Sequence, residues 1–313
     1  VEVVDDDGPI IEPTFKAWWG VPDMPKINFK NDGARQWALD VTEHWIKNFD
    51  IDGWRMDVAK ELDFSFWKDF RDVAYSAKKD ILLISEIFGD TSQWLQGERF
   101  DGTMNYSFRE TMTDYFATKR IDNKEFANSL ANLYSMYSFE ALSSCQNLLS
   151  SHDVKRFLNR CGANTDGMFG AIFLQATFPG IAGIYYGDEI GLGGADDPFN
   201  REPFPWESED KWNKDLLKFT SELMNIKTSQ PILRYGNFEM VTYDDNYVIF
   251  RRVLNDESLL CIVNRDLNNK AIELNTNAHS VDIVYGDCTI ELDSGKLKIT
   301  DIADNFGLII KES

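Results

Sequence analysis

The chain has 313 residues, 43% of them apolar and 27% charged, and a net charge of −20. This is a globular composition, large enough for one large domain plus a small one. So acidic a surface repels phosphate backbones and argues against nucleic acid as a partner, and no apolar stretch is long enough to span a bilayer.

Residues 1–32 read as loop, because Asp5-Asp6-Asp7-Gly8-Pro9 and Val21-Pro22-Asp23-Met24-Pro25 are turn-rich and lack periodicity. A helix is predicted over Gly33–Asn48, with Asp32 as its cap and Trp37, Val41, Trp45 and Ile46 at helical spacing. Phe49–Asp57 reads as a strand. Phe64–Ala77 reads as a helix with Phe66, Trp67, Phe70 and Val73 on one face, and Phe64, Trp67 and Phe70 as a core stripe. Strands follow at Ile81–Glu86 and Phe100–Asn105, then helical stretches at Phe108–Thr118 and Asn123–Met136. Next come strand Cys145–Ser151, apolar helix Gly167–Thr177, strand Ile181–Tyr186 and helix Asn213–Lys227. Strands alternating with helices predict a parallel sheet covered by helices.

After Pro231 the pattern changes to short strands at Phe238–Tyr243, Tyr247–Leu254, Ser258–Asn264, Ala271–Leu274, Val281–Tyr285, Lys296–Thr300 and Gly307–Ile310. The expected fold class is therefore α/β: a partial (β/α)8 TIM barrel holding its last five βα units, followed by a C-terminal antiparallel β-sandwich. A closed barrel needs eight strands, so three βα units are expected to be missing at the front. Open parallel-sheet edges invite a complementary N-terminal chain or a second copy of this one.

Three carboxylates stand out. Asp57, Glu86 and Asp153 each close or follow an apolar run of strand length, which is where a barrel places its chemistry. Arg55 and Asp57 lie two apart on a strand and point the same way, so the guanidinium keeps Asp57 ionised, as a nucleophile requires. Glu86 follows four aliphatic residues and Ser85, and poor solvation there favours the protonated form that an acid catalyst needs. His152 and Asp153 offer a donor and an acceptor to sugar hydroxyls. A strand-terminal Asp taken alone most often caps the next turn. Three acids together with Arg55 and His152 point instead to cleavage of glycosidic bonds.

Several residues carry two readings. Trp18 and Trp19 are sugar-stacking or core residues, Phe88 is a stacking candidate, and Lys60 is a leaving-group-side contact or a solvated lysine. Arg156 lines the cleft or makes an ion pair at a helix start. Asp188 and Glu189 anchor a loop rather than catalyse, and Asp196-Asp197 forms a turn rather than a calcium site. Three histidines (His44, His152, His279) argue against a histidine-rich metal site, four cysteines without a C-x-x-C pair read as isolated thiols, and neither metal nor cofactor is expected.

Gly53-Trp54-Arg55-Met56-Asp57, Glu86-Ile87-Phe88-Gly89-Asp90 and Ser151-His152-Asp153 resemble three signature regions of the α-amylase family of glycoside hydrolases. Met24-Pro25-Lys26-Ile27-Asn28 is similar to the signature of the domain inserted after the third strand, and Tyr185-Tyr186-Gly187-Asp188-Glu189-Ile190-Gly191 to the segment after the last strand. Val58-Ala59-Lys60-Glu61 looks most like the cyclomaltodextrinase, neopullulanase and maltogenic amylase branch. The resemblance implies a remnant of the inserted loop domain at 1–32, the C-terminal part of the catalytic barrel at 33–231 and the sandwich at 232–313.

It also implies roles. Asp57 would be the nucleophile, Glu86 the acid and then base, and Asp153 the transition-state partner. Arg55 would position Asp57, His152 would bond sugar hydroxyls, and Phe88, Lys60, Glu61 and Arg156 are further substrate-binding candidates. Phe88 and Gly89 stand where the family often has Trp and His or Ser, and the family's first signature has no counterpart upstream of Asp57. The implied activity is retaining hydrolysis of α-1,4 glucans, with α-1,6 an open alternative, through a covalent glucosyl-Asp. Substrates would be maltooligosaccharides, cyclodextrins or pullulan, and the branch favours a cytoplasmic location. The competing reading is a catalytically incompetent fragment, or a glycan-binding or assembly member of the same fold. An unrelated doubly wound protein would need a Gly-rich phosphate loop, and none follows Asp57.

Overall fold

The computed structural model describes residues 15–265, 271–303 and 306–313. The first turn-rich stretch, Asp5-Asp6-Asp7-Gly8-Pro9, therefore lies outside the described residues. The chain divides into two compact units, Val1–Ile87 with Trp94–Asp101, and Phe88–Gln93 with Gly102–Ser313.

In the first unit, Asn31 accepts a hydrogen bond from Ala34 N and starts α1 (Asp32–Phe49). Asp32 is thus the first helical residue, not the cap. The helix reaches Phe49 and stops where Asp50 takes left-handed angles (φ 50°, ψ 41°). The strand expected from Phe49 is accordingly shorter: β1 is Gly53–Met56. Of the four apolar positions predicted for α1 only Ile46 is buried; the inward face is Leu39, Thr42 and Ile46. Trp37, Trp45 and Phe49 are 58%, 44% and 59% exposed.

Helix α2 (Phe64–Ala77) begins at Asp63, whose carboxylate accepts from Ser65 N and Phe66 N. It buries Phe66, Trp67, Phe70 and Ala74, while Phe64 sits at the rim against Trp94. Strand β2 (Leu82–Ser85) pairs parallel with β1 in the register Gly53↔Leu82 to Met56↔Ser85. The glycine is needed here, because a Cβ on Gly53 would lie 2.5 Å from Leu82 O.

The second unit begins with β3 (Gly102–Thr103), α3 (Tyr106–Met112) with a following π-turn at Thr113–Ala117, and α4 (Asn123–Ser135). Next come α5 (Phe139–Ser144), β4 (Gln146–Leu148), α6 (Phe157–Arg160), α7 (Thr165–Thr177) and β5 (Ile181–Gly183). The predicted strands 145–151 and 181–186 are cut to three residues each, β4 and β5, which pair parallel. Their backbone is held from the side by Gln175 Nε2, which donates to Asn147 O and Gly183 O at 2.9 and 3.0 Å. Helix α7 is apolar nearly all round and accordingly buried.

Helices α8 (Lys214–Ser229) and α9 (Pro231–Tyr235) lead into strands β6 (Asn237–Tyr243), β7 (Val248–Leu254), β8 (Glu257–Val263), β9 (Ile272–Asn275), β10 (Val281–Tyr285), β11 (Thr289–Asp293), β12 (Lys296–Thr300) and β13 (Gly307–Glu312). They form two antiparallel sheets, ordered β10-β13-β8-β7-β6 and β11-β12-β9. Tyr247 and alternate strand residues Ile249, Leu260, Ile262, Leu308 and Ile310 share a core with Ile272, Leu297 and Ile299 of the smaller sheet. Phe238 of β6 packs on Phe178 and Tyr134, which ties the larger sheet to the helices. No helix among the described residues is long and apolar enough to cross a membrane.

Candidate active site

The parallel register places the ends of β1 and β2 side by side, and Glu86 N donates to Met56 O at 2.9 Å. Asp57 and Glu86 follow directly. Arg55 holds both: Nη1 lies 2.6 Å from Asp57 Oδ1 and Nη2 lies 2.8 Å from Glu86 Oε1. The two acids differ sharply in surroundings, Asp57 being 70% exposed and Glu86 5%. An exposed pair such as Arg55–Asp57 stabilises a fold by at most about 1 kcal/mol, so this contact orients the carboxylate more than it holds the chain. Glu86 is buried as its aliphatic neighbours predict. Arg55 thus touches Glu86 as well as Asp57, a second contact that its spacing to Asp57 did not point to.

Val58, already part of the Val58-Ala59-Lys60-Glu61 resemblance, completes this cluster through its backbone, a role with no signal in the sequence. It takes left-handed angles (φ 43°, ψ 46°), costly for a β-branched residue, and its N–H donates to Glu86 Oε2 at 3.1 Å. Ala59 N then donates to Glu86 O at 3.2 Å, and Trp67 Nε1 donates to Ala59 O at 2.8 Å. The segment after Asp57 is thereby pinned to both β2 and α2.

Beyond it, Lys60 lies over the ring of Trp19 at 5.4 Å, and Trp19 stacks on Trp18 at 4.8 Å. Glu61 is paired with Lys26, which donates to both its carboxylate and its carbonyl at 3.0 and 2.5 Å. The Met24-Pro25-Lys26-Ile27-Asn28 segment is thus fastened to the residues that follow the nucleophile candidate.

The third acid belongs to the second unit. Ser151 and Val154 form an antiparallel bridge across a tight turn whose tip is His152-Asp153. Asp153 N donates to Ser151 Oγ at 3.1 Å, and His152 Nε2 lies 3.0 Å from Asp153 Oδ2. Arg201 adds Nη2 at 3.6 Å from Asp153 Oδ1 and donates from Nε to His152 O at 2.9 Å. Asn200 donates to three carbonyls of the same turn. Neither Asn200 nor Arg201 stands in a periodic stretch, so nothing in the sequence marked them.

Phe88 stacks on Tyr106 with centroids 3.8 Å apart and keeps half its surface exposed. Arg156 begins α6, at its N-cap position. It is fully buried, donates to Tyr186 O at 2.7 Å, lies 3.5 Å from Asp188 Oδ1 and packs against the rings of Tyr185 and Tyr186. Asp188 also accepts from Ser150 Oγ at 2.9 Å; burial pushes its carboxyl up to about 7, with Ser150 and Arg156 pulling the other way. Glu189 accepts from Gly187 N at 2.8 Å.

Asp196 and Asp197 pair with Lys155 and Arg201 at 3.1 and 2.9 Å, and among the described residues no cluster of three His, Cys, Asp or Glu is placed to hold a metal. The four cysteines are unbridged. The structure therefore gathers Arg55, Asp57, Glu86 and Val58 in one unit, and His152, Asp153, Asn200 and Arg201 in the other.

The α-amylase catalytic-domain profile matches residues 15–232. A cyclomaltodextrinase of Geobacillus thermopakistaniensis (strain MAS1) is 36% identical over 264 residues, covering 84% of this chain and 44% of that protein. Neopullulanase 2 of Thermoactinomyces vulgaris is 39% identical over 246 residues, covering 78% of this chain and 42% of that protein. Among solved structures, a Nostoc punctiforme debranching enzyme superposes with a TM-score of 0.88 at 28% identity, covering 99% of this chain and 67% of the other. The chain spans less than half the length of these two curated relatives.

Proposed function

The chain belongs to the α-amylase family, and from that premise we propose that Asp57, Glu86 and Asp153 serve retaining hydrolysis of α-1,4-linked, and as an alternative α-1,6-linked, glucans. Maltooligosaccharides, cyclodextrins and pullulan are the proposed substrates. The observation that carries this reading is the single guanidinium of Arg55 bonded to two carboxylates, one exposed and one buried. Retaining glycosidases need their two carboxyl groups about 5–5.5 Å apart, and acids sharing one guanidinium are near neighbours.

Asp57, exposed and held by Arg55, attacks the anomeric carbon while Glu86 gives its proton to the departing glycosidic oxygen. Glu86, now a base, takes a proton from water. That water attacks the same carbon, and Asp57 leaves as the carboxylate. His152 and Asp153 bind hydroxyls of the cleaved glucose, and Asp153 stabilises its oxocarbenium-like transition state. Phe88, with one face on Tyr106, offers the other to a sugar ring. Lys60 and Glu61, braced by Trp19 and Lys26, are assigned to the leaving-group side.

In this reading residues 1–32 belong to the inserted loop segment, 33–231 to the barrel and 232–313 to a β-sandwich. The parallel pairs β1–β2 in one unit and β4–β5 in the other are of the kind a barrel's βα units make, and a complementary N-terminal chain or a second copy is the proposed partner. The test is reducing-sugar release from maltoheptaose, β-cyclodextrin and pullulan. Asp57→Asn and Glu86→Gln should each lower it by about 100-fold or more, and unchanged activity in either variant would overturn the assignment. Glucan binding without release of reducing ends would favour the non-catalytic alternative.

A further inference from the structure

The turn that carries Asp153 folds around one buried amide. Asn200 is fully buried in the 3-10 turn Phe199–Arg201. Its Nδ2 donates to His152 O at 2.8 Å and Val154 O at 3.1 Å, with Ser151 O at 3.4 Å. Two hydrogens serve three carbonyls, so two bonds are well made and the third is shared. The carbonyls come from residues on both sides of Asp153. We propose that Asn200 is a positioning residue for Asp153: its amide gathers the carbonyls of the 151–154 turn and so sets the direction in which the His152 and Asp153 side chains leave it. The proposal rests on reading Asp153 as a substrate-binding acid.

The base of the same loop is secured independently. Arg109 donates from Nε to Leu149 O at 2.8 Å and from Nη2 to Lys155 O at 3.1 Å, clasping both ends. Ser150 Oγ accepts from Phe157 N and donates to Asp188, both at 2.9 Å. Only the tip depends on Asn200. Arg201 then extends the same 3-10 turn to His152 O and Asp153 Oδ1, so an error in the placement of residue 200 is passed to the acid through two routes. A side chain that merely filled space would leave three carbonyls of a tight turn without this donor.

The experiment compares Asn200→Ala and Asn200→Ser with the unaltered chain. It reads thermal unfolding, kcat and KM on maltoheptaose, and the imidazole NMR signals of the three histidines, with His152 assigned through His152→Gln. Because the base stays clasped, both variants should fold, with unfolding temperatures within a few degrees of the parent. Asn200→Ala should lower kcat by roughly 100-fold, the loss expected for a reacting group misplaced by about 1 Å, with KM changed less than threefold. Asn200→Ser, whose hydroxyl restores one donor, should fall between. The His152 signal should move while those of His44 and His279 stay. A kcat per folded molecule equal to the parent's, or an unmoved His152 signal, overturns the proposal. If the parent chain hydrolyses no glucan, the reading of Asp153 fails on that count, and the His152 signal alone decides whether Asn200 sets the turn.

Discussion

Arg55 and Arg252 carry the same guanidinium into opposite surroundings. Arg55, one-third exposed, meets two carboxylates. Arg252 is fully buried and, among the described residues, donates to carbonyls: to Thr177 O at 2.6 Å and to Gly236 O at 2.7 and 3.3 Å. Beside it Lys227 donates to Ala176 O at 3.1 Å and Phe178 O at 3.4 Å. Thr177 ends α7, and the last carbonyls of a helix have no partner within it and bear partial negative charge. A strand residue and a residue of α8 thus supply cations to a helix C-terminus, and the neighbouring peptide units satisfy them. Burial pushes Lys227 down to about 7, with Arg252 adding to the shift, and pushes Arg252 down to about 10. A cation among carbonyls has no acid to orient and fastens elements together. A cation between two acids of unequal exposure is what the proposed chemistry requires.

Substitutions should separate the two kinds of site. Glu86→Gln should lower glucan hydrolysis by about 10²–10⁴-fold and Asp57→Asn by more, while leaving the urea midpoint nearly unchanged; kinetics and denaturation on the same preparations check this. Arg252→Met should do the reverse. It leaves the Thr177 and Gly236 carbonyls without their donor, so stability should fall by about 3 kcal/mol while the activity of the folded fraction is kept.

A third expectation follows from pH. Below pH 7 Lys227 is charged in folded and unfolded chains alike. Between about 7 and its ordinary 10.5 the unfolded chain alone holds the proton, so stability attributable to Lys227 rises with pH in that window. Asp188 acts oppositely: between 3.8 and about 7 the folded chain alone holds the proton, so its contribution falls as pH rises. Urea midpoints at pH 5, 7 and 9 should show Lys227→Met removing the alkaline rise and Asp188→Asn removing the acid-side fall, each by about 2 kcal/mol. The smallest effect belongs to the Arg55 site. Val58→Gly relieves a left-handed β-branched residue and should raise stability by up to about 1 kcal/mol in thermal unfolding.

The candidate site was named from the residues because each acid sits in its own short signature at a strand end, with Arg55 and His152 beside two of them. The second partner of Arg55 was not, because it depends on the register Arg55↔Ile84 between strands that lie some thirty positions apart, which no local pattern encodes. Val58 was hidden because its side chain argues against the backbone angles it adopts. The helix around Trp37 and Trp45 was found, yet its inward face was misjudged, since Thr42 points inward where periodicity favoured tryptophan. The strand expected from Phe49 started too early because nothing marked Asp50 as the left-handed stop of α1. Helices α5 and α9 were too short to show a period, and β11 alternates in a stretch read only as connection.

The outward aromatic face of α1 has a consequence for handling this protein. Trp45 and Phe49 lie 4.6 Å apart there, with Trp37 on the same helix also exposed. The charge of −20 keeps molecules apart at low ionic strength, and added electrolyte shortens that repulsion to within about 10 Å at 0.1 M while leaving the rings as adhesive as before. Colloidal behaviour should therefore invert the usual salting-in habit: dilute buffers keep the solution clear, and moderate sodium chloride promotes clumping and retention on phenyl resins.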